Sequence, residues 1–366
     1  MDLNELRTRL SDLDRQILDL VGERQSVVDQ IGVVKLSSGQ ATRDFAREKQ
    51  VLDAARDQAL QLGIPPGLAE SLMQLLIRSS LTKQERARVR AEARGRGRQA
   101  LVIGGAGKMG LWFVDFLGSQ GFEVMVADPR IIAAAGEGGL KQVPDWRDTA
   151  DEFDVTVIAA PIGITAAILE DISASGRSGL IFDIGSLKSP LEAGLRNLAT
   201  QGAKVTSLHP MFGPDTELLS GRHVLFMEVG SPEATAEARQ LFASTMARQI
   251  EMKLEDHDRL IATVLGLSHA LNIAFFTALV ESGENLPELA DMSSTTFDAQ
   301  LAVAASVADE SPQLYFEIQK LNPYGMAPLR ELAGAVQRIT SMVEAGDEQA
   351  FVDLMERGRN YLARHR

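Results

Sequence analysis

Apolar and polar positions recur along this chain with more than one period, and the changes of period divide it. From Leu3 the apolar residues fall at Leu6, Leu10, Leu13, Ile17, Leu20, Val27, Ile31 and Val34. That three-and-four spacing predicts one amphipathic helix of over thirty residues, which needs partner helices along its stripe. Ser37-Ser38-Gly39 ends it. A second helix is predicted over about 44–61, stopping at Gly63, and Pro65-Pro66 open a third that runs to about 84. After Arg98 the pattern becomes one of short apolar runs: Ala100–Ile103, Phe122–Ala127, Val155–Ala159, Gly179–Asp183, Lys204–Leu208 and His223–Glu228. With helical stretches among the earlier ones, these predict a mostly parallel α/β sheet. From about Glu255 the chain turns helical again, as in Leu260–Val280 and Leu329–Val343. Between the first two patterns lies the arginine-rich Lys83–Arg98, read as a solvated linker rather than a polyanion site. The expected domains are thus an all-α domain over 1–88, a basic linker over 89–98, a Rossmann-type α/β domain over 99–253 and an all-α domain over 254–366.

Composition narrows the function classes. A chain of 366 residues with 45% hydrophobic and 24% charged residues is ordinary for a globular protein of two or three domains. Its net charge of −13 argues against nucleic acid as a partner. With no cysteine, disulfides, thiol nucleophiles and thiolate metal sites are excluded, and no metal is expected. No signal peptide and no run of about 18 apolar residues stands out, so a cytoplasmic protein without a membrane partner is expected.

Gly105-Ala106-Gly107-Lys108-Met109-Gly110 fits GxGxxG, directly after an apolar strand and before a helical stretch. The next strand ends in Asp128, 23 residues past the first glycine. Strand, turn, helix and terminal acid in that order form a dinucleotide-binding fingerprint. The glycines permit a tight turn and let backbone N–H groups at the helix start meet a pyrophosphate. Asp128 would accept from the ribose hydroxyls and repel a 2′-phosphate, which favours NAD over NADP, with Arg130 as the opposing sign.

The helical N-terminus carries a patterned set of charges. Arg24 and Lys35 are eleven positions apart, three turns to within about 20°, so both point the same way. Asp44, Arg47 and Glu48 share one face of the second helix, and Ser80 and Gln84 one face of the third. Arg7 lies about 100° from the Arg24 direction and so serves a different site. Residues 1–85 resemble the all-helical chorismate mutases of the intertwined-dimer type through Leu6-Arg7, Glu23-Arg24, Val34-Lys35, Arg43-Asp44, Arg47-Glu48 and Ser80 with Gln84. The resemblance implies that Arg7 of the partner subunit, Arg24 and Arg47 clamp the two carboxylates of chorismate. It implies that Lys35 and Gln84 donate to the ether oxygen, and that Asp44, Glu48 and Ser80 hold the ring substituents and a carboxylate. Arg24, Lys35, Glu48 and Gln84 are then the catalytic set. The pericyclic rearrangement needs no acid, base or nucleophile, only a folded substrate and opposed charge. Residues 1–88 are therefore expected to act alone as a helical dimer.

Joined to a nicotinamide-binding domain, such a mutase resembles the T-proteins, fused chorismate mutase–prephenate dehydrogenases, over essentially the whole chain. Ile158-Ala159-Ala160-Pro161-Ile162, Phe182-Asp183-Ile184-Gly185-Ser186-Leu187-Lys188 and Leu208-His209-Pro210-Met211-Phe212-Gly213-Pro214-Asp215 match family motifs. The resemblance implies that His209 is the catalytic histidine, that Pro161 joins Gly105, Gly107, Lys108, Met109, Gly110 and Asp128 at the cofactor, and that NAD accepts hydride. Glu255-Asp256-His257-Asp258 and Ser268-His269 resemble positions of the family's helical domain, which forms the dimer core and closes over substrate, with His269 at the substrate. Three positions depart. Counting back from Pro312-Gln313-Leu314-Tyr315 without gaps puts Ser306 where the family carries a carboxylate-binding arginine, Asp298 at a second arginine and Gly163 at a histidine. The mutase site is intact while the dehydrogenase pocket is altered. Prephenate is the default dehydrogenase substrate. The alternatives are the 4-amino-4-deoxy analogues in both reactions, arogenate, or one half retained only as a ligand-sensing, dimerising module.

Overall fold

The computed structural model describes residues 2–130 and 140–364. Three helices come first: α1 (Leu3–Ser37), α2 (Phe45–Leu62) and α3 (Pro66–Ala91). Asp2 and Glu5 form a reciprocal capping box at the start of α1, the arrangement that satisfies two otherwise orphaned N–H groups. Asp44 caps α2 by accepting from Arg47 N at 3.0 Å. Gly63 ends α2 in the left-handed region at φ 68°, where a side chain would be strained. Packing joins α3 to both α1 and α2, and Lys83 Nζ reaches Asp29 of α1 at 2.6 Å.

The arginine-rich run is not a solvated linker through its first half. Helix α3 continues to Ala91, with Leu81, Glu85 and Val89 buried. Arginines at 86, 88 and 90 fall on the outer faces while Leu81, Glu85 and Val89 recur every four residues on one inner face. Arg88 pairs with Glu92 at 2.9 Å, and Arg98 with Asp154 at 3.2 Å and Glu237 at 3.0 Å.

An eight-stranded sheet follows, formed by β1 (Gln99–Ile103), β2 (Glu123–Ala127), β3 (Lys141–Val143), β4 (Val155–Ile158), β5 (Leu180–Asp183), β6 (Lys204–Pro210), β7 (His223–Glu228) and β8 (Arg248–Lys253). Its order is β3-β2-β1-β4-β5-β6-β7-β8. Pairing is parallel from β3 through β6, and β7 runs antiparallel to β6. Strands β4 and β5 are buried along their whole length, as expected when helices cover both faces of a parallel sheet. The intervening helices are α4 (Lys108–Ser119), α5 (Ile162–Ser175), α6 (Glu192–Thr200) and α7 (Pro232–Leu241). Strand order reverses at β1, between β2 and β4, and that is where α/β sheets of this kind open a ligand crevice. The short β3 and the charged, alternating β8 carry too little apolar signal to be read from the sequence.

The C-terminal helices are α8 (Leu254–Ile261), α9 (Ser268–Ser282), α10 (Leu286–Asp291), α11 (Thr295–Ala308), α12 (Pro312–Leu321), α13 (Met326–Ala345) and α14 (Glu348–Ala363). A π-helical turn, Ala262–Leu267, joins α8 to α9. The continuous helix Leu254–Ser282 is, among the described residues, long and apolar enough by length and composition to cross a membrane. Ser268, His269 and Asn272 interrupt its apolar positions. By contacts the chain forms two compact units. One holds Met1–Ala160, Ile168–Ile184 and Leu195–Met252, the other Pro161–Ala167, Gly185–Gly194 and Lys253–Arg366.

Candidate active sites

The helical site is built from side chains that cross between helices. Arg24 of α1 donates to Ser80 Oγ of α3 at 2.6 Å and to Leu76 O at 3.2 Å. Ser80 is itself buried and donates back to Leu76 O. Lys35 Nζ donates to Thr42 O at 2.7 Å, which folds the end of α1 onto the turn leading into α2. Glu48 is held by Arg43, which donates to both of its oxygens at 2.9 Å. Gln84 lies against α1, and its Oε1 is buried with no hydrogen-bond partner among the described residues. A buried amide left unpaired costs about 1–3 kcal/mol, so this oxygen marks a place where a ligand or water completes the site. Asp44 serves as the α2 cap, and the exposed Arg47 side chain donates to Gln50 Oε1 at 3.3 Å. Arg7 projects from the outer part of α1, exposed and without a partner among the described residues of its own chain. Among the expected site residues, Arg24 thus contacts Ser80 and the Arg47 N–H contacts Asp44, while Glu48 is held by Arg43. Arg43 was legible as part of an Arg-Asp motif, but nothing in the sequence assigns it to Glu48.

The turn after β1 is shaped for a dinucleotide. Gly104, one residue ahead of the GxGxxG match, takes φ +80°, and a Cβ there would meet Ala159 O at 2.7 Å. A Cβ on Gly110 would meet Gly104 O at 2.3 Å, so the first turn of α4 packs directly on the loop. Gly107 is the N-cap of α4, and a side chain there would crowd Gly104 O at 3.3 Å. Lys108 opens α4, Met109 packs against the sheet core, and Gly105 lies against Val126, where a Cβ would come within 2.7 Å of its side chain. The bare backbone and helix N-terminus fit the pyrophosphate of NAD. Asp128, buried at the end of β2, accepts from Ala106 N at 3.1 Å and from Arg130 Nε and Nη2, both at 3.1 Å. Burial opposes ionisation of Asp128, but the Arg130 guanidinium and N–H and the Ala106 N–H outweigh it and hold the carboxyl below the ordinary aspartate value. Pro161 opens α5 in the second unit, where its carbonyl accepts from Ile164 and Thr165 N at 2.9 Å.

His209 is the penultimate residue of β6, buried, and paired in register with Leu225 of β7. In the second unit, Asp258 of α8 accepts from the backbone N–H of Lys188 at 2.8 Å and of Ser189 at 2.7 Å. His257 Nδ1 lies 2.7 Å from the same carboxylate, and both side chains are buried. Asp258 therefore pins the Gly185–Lys188 motif loop, a role its sequence motif did not reveal. Burial pushes the Asp258 carboxyl up, but its hydrogen bonds with His257, Ser189 and Lys188 outweigh that and lower it. His269 stacks on Tyr315 with ring centroids 4.2 Å apart, and its Nδ1 is buried without a partner among the described residues. Burial pushes the His269 imidazole below its ordinary value. Ser306 is exposed on α11 and donates to Val303 O of its own helix at 2.8 Å. Asp298 accepts from Ser293, and a Cβ on Gly163 would lie 3.8 Å from Glu317 Oε1. No arginine occupies any of these three positions.

Residues 6–85 match the chorismate mutase type II family, 124–251 the nucleotide-binding domain of prephenate dehydrogenase, and 253–357 the dimerization domain of prephenate dehydrogenase. A T-protein of Enterobacter agglomerans is 27% identical over 100% of this chain and 94% of its own. A 4-amino-4-deoxyprephenate dehydrogenase of Streptomyces pristinaespiralis is 31% identical over 73% of this chain and 92% of its own. Among solved structures, prephenate dehydrogenase from A. aeolicus in complex with hydroxyphenyl propionate and NAD+ superposes with a TM-score of 0.58. It is 17% identical and covers 74% of this chain and 98% of its own.

Proposed function

The chain belongs to the T-protein family, bifunctional chorismate mutases and NAD-dependent prephenate dehydrogenases, and from that premise we propose how its residues carry the two reactions. The mutase is assigned to residues 1–88, the dehydrogenase to 99–253 and the helical dimerisation domain to 254–366. In the mutase, Arg24 and Arg47, with Arg7 of the partner subunit, oppose the substrate's two carboxylates. Lys35 and Gln84 donate to the ether oxygen, where negative charge grows as the C–O bond breaks, and this is where catalysis by preorganised donors is worth most. Asp44, Glu48 and Ser80 hold the remaining polar groups. The Arg24–Ser80 hydrogen bond, which joins α1 to α3 one turn from Gln84, is the observation that carries this assignment.

Bound NAD supplies the hydride acceptor. His209 takes the C4 hydroxyl proton as C4 gains carbonyl character. The electrons of the C1–carboxylate bond then pass into the ring as CO2 leaves, and His209 returns the proton to the phenolate oxygen of 4-hydroxyphenylpyruvate. A neutral imidazole suits this task near neutral pH. His269 is assigned to substrate binding. We assign the enzyme to the cytoplasm, and to a homodimer because residues 253–357 match a dimerization domain and the α1 stripe from Leu3 to Leu20 stands exposed in one chain.

A second reading concerns the C4 substituent. Ser306, Asp298 and Gly163 leave the pocket short of cations, and the Streptomyces relative acts, by its name, on 4-amino-4-deoxyprephenate. An ammonium lowers substrate charge by one and reduces the need for an arginine. The deciding experiment offers the purified enzyme and NAD either prephenate or 4-amino-4-deoxyprephenate, following NADH and the aryl pyruvate. Preference for prephenate supports the first reading, and a dominant kcat/KM for the amino compound overturns it. Ser306→Arg should lower KM for prephenate with little change in kcat, because the carboxylate is charged before reaction.

A further inference from the structure

The carboxylate of Glu48 is held in place from outside the mutase helices. Arg43 spends Nε and Nη2 on the two Glu48 oxygens, and its remaining nitrogen, Nη1, donates to Ser220 Oγ at 2.7 Å. The guanidinium also lies over the Phe45 ring, 4.3 Å from its centroid. Ser220 belongs to the dehydrogenase domain, on the strap 211–222 that leaves β6 just after His209 and returns as β7.

Three further contacts fasten that strap. Leu219 N donates to the buried carboxylate of Glu85 at 2.8 Å, Arg86 pairs with Glu217 at 3.3 Å, and Trp112 Nε1 donates to Thr216 O at 2.9 Å. Glu85 is the residue after Gln84 on α3, and its other oxygen accepts from Met246 N. A cleft of about 260 Å³ opens between α2, α3 and the strap, with Arg43, Glu48, Leu81 and Ser220 among its walls.

We propose that Ser220 is a positioning residue for the chorismate rearrangement: through Arg43 it orients the Glu48 carboxylate, so the dehydrogenase domain supplies part of the mutase. A bidentate guanidinium–carboxylate pair is geometrically specific within itself, yet it can swing as one unit about its two side chains. The bond to Ser220 supplies the third point that fixes its plane. Each Glu48 oxygen keeps a lone pair after accepting from Arg43, free to accept from a substituent of the substrate ring. The proposal rests on the assignment of Glu48 to the mutase site. It replaces the expectation that residues 1–88 contain everything the rearrangement uses.

The test compares Ser220→Ala and Ser220→Thr in the full-length enzyme. Ser220→Ala should raise KM for chorismate roughly tenfold, the scale of one hydrogen bond to a charged group, and change kcat less than about twofold. The kinetics of NADH formation from prephenate and the melting temperature should not move, and Ser220→Thr, which keeps the hydroxyl, should restore KM. In an Arg43→Lys background, where the bidentate pair is already lost, Ser220→Ala should add nothing. The proposal is overturned if Ser220→Ala leaves KM for chorismate within about twofold, or if both activities and the melting temperature fall together. Arg24→Ala, measured alongside, separates the two levels: an unchanged mutase there would remove the site assignment itself, whatever Ser220 does.

Discussion

Asp128 and Arg130 face one another at the end of β2, where our assignment puts the cofactor's ribose. The pair closes a carboxylate that would otherwise accept from both ribose hydroxyls, so NAD must compete with a guanidinium for it. Asp128→Ala should narrow or invert the NAD:NADP ratio of kcat/KM. Arg130→Ala should lower KM for NAD, and it should also shift the acid limb of cofactor binding. Asp128 titrates below its ordinary value because Arg130 outweighs burial, so its ionised form survives until pH falls through that depressed value. Without Arg130 the desolvation is less opposed, and NAD binding should fail at a higher pH than in the parent, as read from dissociation constants across the acid range. His209→Asn should slow NADH formation by roughly 10²–10⁴-fold, the range for losing a general base, while chorismate consumption without NAD stays unchanged. Both residues were legible in the sequence because each closes a strand inside a motif. Arg130's grip on Asp128 was not, since which of two neighbouring charges faces inward depends on the turn, and neither was Gly104, which lies one residue outside the pattern.

Helix α3 carries two duties on adjacent faces. Ser80 and Gln84 belong to the mutase, and Leu81, Glu85 and Val89 pack within the same compact unit as the sheet. Its first half was legible from Pro65-Pro66 and the apolar spacing. Its last two turns were hidden because one valine among arginines gives almost no periodic signal, and a buried glutamate is invisible without its backbone partners. Glu85→Ala should destabilise the protein by about 1–3 kcal/mol, the scale for stranding a buried N–H, by chemical denaturation. Burial raises the Glu85 carboxyl, and the N–H groups of Leu219 and Met246 only partly oppose it. The folded state therefore holds this proton more tightly than the unfolded chain, whose carboxyl titrates near about 4.3. Stability should fall as pH rises from that value through the raised one, and Glu85→Gln should remove this component of the pH dependence.

For the whole molecule, the exposed apolar stripe of α1 is the surface on which the proposed homodimer would pack. Leu3, Leu10, Ile17 and Leu20 are 62%, 59%, 51% and 63% exposed, far more than one soluble helix tolerates in a row. Ile17→Asp should shift the mutase dimer toward monomers in sedimentation experiments and lower chorismate turnover in a concentration-dependent way. The order of the three regions was legible because each has its own hydrophobic period. What joins the first two was not, because contacts such as Arg43–Ser220, Glu85–Leu219 and Arg86–Glu217 are single polar pairs between residues far apart in the sequence. One of these contacts also makes the protein its own optical probe. The chain has two tryptophans, and Trp112 ties its indole N–H to the strap at Thr216 while its ring lies 5.0 Å from that of Phe212, two residues before the Pro214-Asp215 bend. Trp146 is buried elsewhere, flanked by Arg147 and Arg177. In a Trp146→Phe background the tryptophan emission therefore comes from Trp112 alone, on α4 against the strap. Light from a tryptophan in the dehydrogenase should change colour or intensity when chorismate, and no nicotinamide, is titrated in.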